Sequence, residues 1–119
     1  MKNTPVILIL ISLLSCAGTM TKNNTSSETG WIDEDTYTII ASGPNEDTAV
    51  GRAKHQILKN IVDIRVHNNS RYTDIVKIRD EFDIPLKHGT VVKRMNIPDG
   101  IEIYYQIRDK GLKKKFERK

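Results

Sequence analysis

Cysteine is almost absent from the chain, which has a single one, Cys16, among its 119 residues. One cysteine excludes an internal disulfide, although exported domains of this size often carry several. Long apolar runs are absent too. The longest, residues 5–14, is about half of the roughly 20 residues that a membrane-spanning helix needs. The sequence therefore predicts neither a disulfide framework nor a spanning helix.

The first fifteen residues have the layout of a secretory signal peptide. Lys2 gives a positive start, residues 5–14 are apolar, and small residues flank Cys16. A buried core helix or strand is the alternative, but it is disfavoured because the residues that follow turn sharply polar. We therefore interpret residues 1–15 as a signal peptide.

Residues 13–16, Leu-Leu-Ser-Cys, resemble the lipobox of bacterial lipoproteins. In that family the cysteine thiol receives diacylglycerol, and a dedicated peptidase cuts just before the cysteine. The resemblance implies cleavage between Ser15 and Cys16, a covalent lipid on Cys16 and no other cofactor. A catalytic or intermolecular thiol is the alternative, and a catalytic thiol would need a histidine held nearby.

Acylation of Cys16 implies that the partner of this residue is membrane lipid, and that the protein belongs to the cell envelope. Each buried methylene contributes about 0.8 kcal/mol, so one acyl chain binds marginally and two or more hold firmly. Ala17 and Gly18 follow the cysteine, with no Asp beside it. Among enteric lipoproteins this arrangement favours the outer membrane over the inner.

Residues 16–30 are dominated by Thr, Asn and Ser. So little apolar surface cannot offset the entropy lost on ordering. We expect a flexible tether of about 14 residues with an r.m.s. span of roughly 20 Å. Asn23 and Asn68 match a glycosylation pattern, which is a coincidence in a bacterial lipoprotein.

The remaining chain is long enough for one modest core, over residues 31–109. Pro44 suits the first position of a helix, and the next three residues place side-chain acceptors and negative charge in its first turn. Val50, Ala53, Ile57 and Ile61 then share one helical face. The predicted elements are an inner strand at 36–43, a helix at 45–61, a strand at 62–67, and a hairpin of strands 90–97 and 101–108. Residues 72–82 have the apolar spacing of a helix, with a strand as the alternative.

This order predicts an α+β domain, in which one long and one short helix pack on one face of a small, largely antiparallel sheet. Residues 110–119 are expected to form a basic, frayed C-terminal tail. The N-terminal Trp31–Ile32, the strand "TYTIIASG" and the segment "VVKRMNIPDGIEIYYQIR" are similar to the Lpp-twenty lipoprotein family over residues 31–108. The same layout recurs in the N-terminal domain of a flagellar assembly protein. The resemblance implies an envelope lipoprotein, sometimes a flagellar or surface accessory, without catalysis.

Patterns that carry chemistry are scarce. His55, His67 and His88 lack the spacing of metal ligands. The acidic run 33–35 lacks the alternation and the glycine of a calcium loop. The glycine of "ASGP", residues 41–44, is better explained as a strand-to-helix turn than as a phosphate loop. We therefore expect no metal site.

His67, Ser70 and Asp74 include the residue types of a hydrolase triad, but no nucleophile-elbow sequence surrounds the serine. The sequence therefore predicts a non-catalytic module that binds or scaffolds an envelope protein partner, with a small envelope hydrolase as a remote alternative.

The C-terminal ten residues suggest another role. The alternative prediction is a structural module that contacts cell-wall polymer or anionic lipid through the basic residues of the tail. Nucleic acid is not an expected partner of an exported chain. These basic residues are Lys110, Lys113, Lys114, Lys115, Arg118 and Lys119.

Overall fold

The computed structural model describes residues 29–119. The predictions for the signal peptide, for cleavage between Ser15 and Cys16, for the lipid on Cys16 and for most of the tether lie outside the described residues. The elements are β1 (Gly30–Asp33), β2 (Thr36–Gly43), α1 (Glu46–His67), α2 (Ile75–Glu81), α3 (Asp83–Lys87), β3 (Thr90–Ile97), β4 (Gly100–Arg108) and α4 (Leu112–Phe116).

The four strands form one antiparallel sheet in the order β1-β2-β4-β3. Tyr37 pairs with Ile107, and Ile39 pairs with Tyr105, so these side chains share the face that the helices cover. The predicted α+β class, the inner position of the 36–43 strand and the C-terminal hairpin are all confirmed. The short strand β1 was not predicted.

The long helix begins close to the predicted start, but Pro44 lies outside it and Asn45 is its N-cap. The Asn45 side chain accepts a hydrogen bond from Thr48 N at 2.9 Å. The prediction of a strand at 62–67 is wrong, because α1 is 22 residues long and extends to His67. Ile57, Ile61 and Arg65 are four residues apart and all fully buried. Burial of this continuous face outweighs the β preference of the branched residues in 62–67.

Small residues let α1 approach the sheet closely. Ala49 and Ala53 are fully buried against it. A Cβ atom added at Gly43 would lie 3.0 Å from Ala49 N, so β2 and the first turn of α1 are almost in contact. No helix within residues 29–119 is long and apolar enough to span a membrane.

The predicted helix in 72–82 is confirmed as α2. The Asp74 side chain caps it and accepts a hydrogen bond from Val76 N at 2.9 Å. The short helix α3 follows directly and buries Pro85 and Leu86. Leu86 O accepts a hydrogen bond from the Tyr105 hydroxyl at 2.6 Å, which joins α3 to β4. Burial raises the pKa of Tyr105.

The prediction of a frayed tail is wrong. Residues 112–116 form α4, and its apolar residues Leu112 and Phe116 are fully buried. The left-handed conformation of Gly111 (φ 69°) turns the chain into this helix. The Phe116 ring lies 4.7 Å from the Trp31 ring and 5.1 Å from the Tyr37 ring, centroid to centroid. The C terminus therefore completes the core.

Candidate functional site

The face of the sheet opposite the helices presents a mixed polar and apolar surface, which we call the open sheet face. The register places Ile40 beside Tyr104, and Tyr104 beside Lys93. The Lys93 ammonium lies 5.1 Å from the Tyr104 ring centroid, within range of a cation–π contact. The surface consists of Ile40, Ser42, Lys93, Met95, Glu102, Tyr104 and Gln106.

Two aliphatic side chains on this face are accessible: Ile40 is 40% exposed and Met95 is 42% exposed. Tyrosine and methionine, both present on this face, are enriched in the cores of protein–protein interfaces. None of the helices within residues 29–119 covers this face. Lys93 is exposed on the same face, and Glu102 and Tyr104 are half-buried there.

A second surface, the basic end, lies on and around α4. It consists of the six basic residues between Lys110 and Lys119. Two of them form ion pairs: Lys115 with Asp109 at 2.8 Å, and Arg118 with Glu81 at 3.5 Å. The other four form no ion pair with residues 29–119.

Arg65 is the centre of a buried cluster that joins α1, α2 and the C-terminal segment. Its guanidinium donates to both carboxylate oxygens of Glu81, at 3.1 and 3.0 Å. It also donates to Tyr72 O at 3.2 Å, to Lys115 O at 2.5 Å and to Phe116 O at 3.2 Å. These five contacts match the five N–H donors of arginine. Arg65 is therefore a structural residue.

A cavity of about 610 Å³ lies beside this cluster. Both basic and acidic side chains line it, and Arg118 stacks 3.9 Å above the Tyr72 ring. Because the donors of Arg65 are already used and Arg118 is paired with Glu81, the cavity offers no unpaired buried charge to a ligand. Its lining includes Arg65, Arg71, Tyr72, Lys77, Asp80 and Glu81.

The histidines are separated in the structure as in the sequence. His55 lies within α1, His67 ends it, and His88 follows α3, all three exposed. Residues 29–119 contain no group of three or more His, Cys, Asp or Glu side chains placed to hold a metal ion.

The acidic run 33–35 forms the β1–β2 turn. Asp33 Oδ1 accepts a hydrogen bond from Asp35 N at 2.8 Å, and this bond lowers the pKa of Asp33. Asp35 Oδ1 accepts a hydrogen bond from Gly111 N at 2.8 Å. These two carboxylates therefore shape the turn and fix the start of α4.

The triad-like residues are also used locally. Ser70 Oγ donates to Arg118 O at 2.5 Å and accepts from Tyr72 N at 3.0 Å. The Asp74 carboxylate caps α2. Both side chains hold the segment between α1 and α2 against the C terminus.

Neither of two ion pairs that join distant elements, Arg65–Glu81 and Arg94–Glu46, was predicted from the sequence. Arg65 stands four residues after Ile61 and therefore lies on the same face of α1. Extending the predicted helix beyond residue 61 would have placed Arg65 on the buried face. Arg94 on β3 binds Glu46 at the start of α1, at 2.6 Å, and the hydrogen bond from Arg94 lowers the pKa of Glu46. No local pattern indicates this pairing, because the two residues are 48 positions apart.

Comparison of the chain with protein-family models, with curated proteins and with solved structures gave no match. The resemblance to the Lpp-twenty family therefore stays a prediction, as do the signal peptide and the lipid on Cys16.

Proposed function

We propose that this chain is a membrane-anchored bacterial envelope lipoprotein that acts as a non-catalytic binding or scaffolding module. Cys16, at the end of an apolar run, supplies the anchor. The first strand of the folded domain begins at Gly30, so a tether of about 14 residues separates the domain from the lipid. Such an anchored domain can hold an envelope protein near the membrane.

The observation that carries the binding role is the open sheet face. The helices pack on the other face of the sheet, and Ile40, Met95 and the half-buried Tyr104 remain accessible here. Aromatic residues are enriched in protein interfaces, where they bury much area at low entropic cost. The edge strand β3 is a weaker candidate, because its irregular register and its charged residues oppose strand addition.

The roles of the polar side chains favour binding over catalysis. Ser70 and Asp74 bond backbone groups, and Arg65 is fully bonded inside the domain. A small envelope hydrolase would need a different constellation of groups converging on a cavity. The binding module is therefore the simpler proposal.

The binding role is tested by site-specific photocrosslinking in cells that naturally produce the protein. A benzophenone amino acid replaces Tyr104 on the open sheet face, and in a control it replaces Asp63, an exposed residue of α1. We expect a discrete protein adduct from position 104 that disappears when Ile40→Lys is added. Adducts of equal yield from both positions, or none from position 104, would contradict the use of this face.

A further inference from the structure

The basic end lies beside the point where the N-terminal segment joins the domain. The rings of Trp31 and Phe116 are 4.7 Å apart, centroid to centroid. Lys113 N donates to Glu34 O at 2.9 Å, which fixes α4 against the β1–β2 turn. A tether that runs from Cys16 to Gly30 therefore ends next to α4.

The helix α4 has an apolar side and a basic side. Leu112 and Phe116, four residues apart, face the core and are fully buried. Lys114 and Lys115 are exposed, while the Lys113 side chain is half-buried. Lys110 and Lys119, both exposed, extend the basic surface on either side of the helix.

Acidic groups offset only part of this charge. Asp109 is paired with Lys115, and Asp35 accepts the hydrogen bond from Gly111 N. Glu34 and Glu117 are exposed nearby. The surplus is two positive charges, because the six basic residues of 110–119 outnumber these four acidic residues. Each basic residue near an anionic membrane contributes about 1 kcal/mol.

We propose that the basic end contacts the anionic lipid head groups of the membrane that carries the Cys16 anchor. The inference rests on the proposed function, because the anchor brings the domain to that surface. A tether with an r.m.s. span of roughly 20 Å keeps the local lipid concentration high. Contacts too weak to recruit the domain from solution then suffice to orient it, with α4 toward the lipid.

The distance between α4 and the membrane can be followed by energy transfer from Trp31, because it is the single tryptophan of the chain and lies next to α4. The full-length protein is purified from membranes and reconstituted in vesicles that carry a dansyl-labelled lipid. One set contains phosphatidylcholine alone, and the other also contains phosphatidylglycerol. We expect stronger energy transfer from Trp31 to dansyl in the anionic vesicles, falling to the neutral level as salt screens the charges.

The variant Lys110→Glu/Lys114→Glu reverses two exposed charges of the basic end. We expect its transfer in anionic vesicles to fall to the neutral-vesicle level, since each charge lost lowers the ratio of docked to undocked domains about fivefold. The matched control Lys59→Glu/Arg79→Glu reverses two exposed charges on α1 and α2 and should behave as wild type. Lys110→Gln/Lys114→Gln should lie between them.

Equal transfer in both vesicle sets, or equal effects of the two charge reversals, would overturn the inference. So would salt-sensitive sedimentation with purified cell-wall polymer together with no dependence on phosphatidylglycerol. Flotation of the wild type with neutral vesicles reports separately on the anchor. If the protein does not float with them, the proposed function fails, whereas loss of the lipid dependence alone leaves the anchor intact.

Discussion

Replacing Arg65 by methionine is expected to lower the free energy of unfolding by about 3–5 kcal/mol. The guanidinium is fully buried, and Glu81, its ionic partner, has 26% of its side chain exposed. Methionine fills a similar volume but donates no hydrogen bond. Among residues 29–119, the carboxylate of Glu81 then keeps only Arg118, at 3.5 Å, as an ionic partner.

The cost extends beyond the ion pair. The carbonyl oxygens of Tyr72, Lys115 and Phe116 also lose the donor that Arg65 supplies. A buried acceptor without a partner costs about 1–3 kcal/mol. Because these carbonyls lie in two segments distant in sequence, the substitution loosens both the segment after α1 and the C terminus.

Chemical denaturation of the full-length protein in urea measures this effect. Arg79→Met is the matched control, because Arg79 is exposed on α2 and should change stability by at most about 0.5 kcal/mol. Arg65→Lys should be destabilised as well, since one ammonium cannot reproduce the planar, five-donor geometry. Equal stabilities of Arg65→Met and Arg79→Met would contradict the structural role of Arg65.

Replacing Phe116 by alanine is expected to lower the free energy of unfolding by about 3–5 kcal/mol. The ring is fully buried and touches three other aromatic rings. Its removal leaves a cavity beside Trp31, so we also expect a red-shifted and more readily quenched Trp31 emission. Thermal unfolding followed by far-UV circular dichroism gives the stability, and steady-state fluorescence gives the environment of Trp31.

Lys114→Ala serves as the control on the same helix, because Lys114 is exposed. It should leave both the unfolding transition and the Trp31 emission unchanged. A loss of less than about 1 kcal/mol for Phe116→Ala would instead support the frayed tail that the sequence predicts.

The C-terminal hairpin was predictable because its signals are local. Ile101, Ile103 and Ile107 recur at even spacing, and Gly100 follows a Pro-Asp pair at the turn. The start of α1 was predictable for the same reason, since Asn45 caps it from within the sequence. In each case the deciding interaction joins residues fewer than ten positions apart.

The end of α1 and the C-terminal helix were not predictable in this way. Residues 62–67 alternate as a strand would, and their helical state depends on burial of Arg65 against the C terminus. Lysines dominate the tail, so its sequence predicts a solvated segment. In the structure, Leu112 and Phe116 instead pack into the core together with Trp31 and Tyr37. Tertiary contacts decide both segments.

The candidate surfaces show the same limit. The sequence identifies the basic residues of the tail, but their position beside the start of the domain depends on contacts such as Lys113 N to Glu34 O. Identifying the open sheet face requires knowing which side of the sheet the helices cover. The anchor at Cys16, by contrast, is a purely sequence-level prediction.

Intact mass of the protein recovered from its native membrane fraction tests the lipoprotein proposal most directly, with Cys16→Ala as the comparison. We expect the wild type to begin at Cys16 and to carry the added mass of acyl chains. The variant should retain residues 1–15 and carry no lipid. A wild type that is unmodified and recovered in the soluble fraction would contradict the lipid anchor, and with it the proposed contact of the basic end with the membrane.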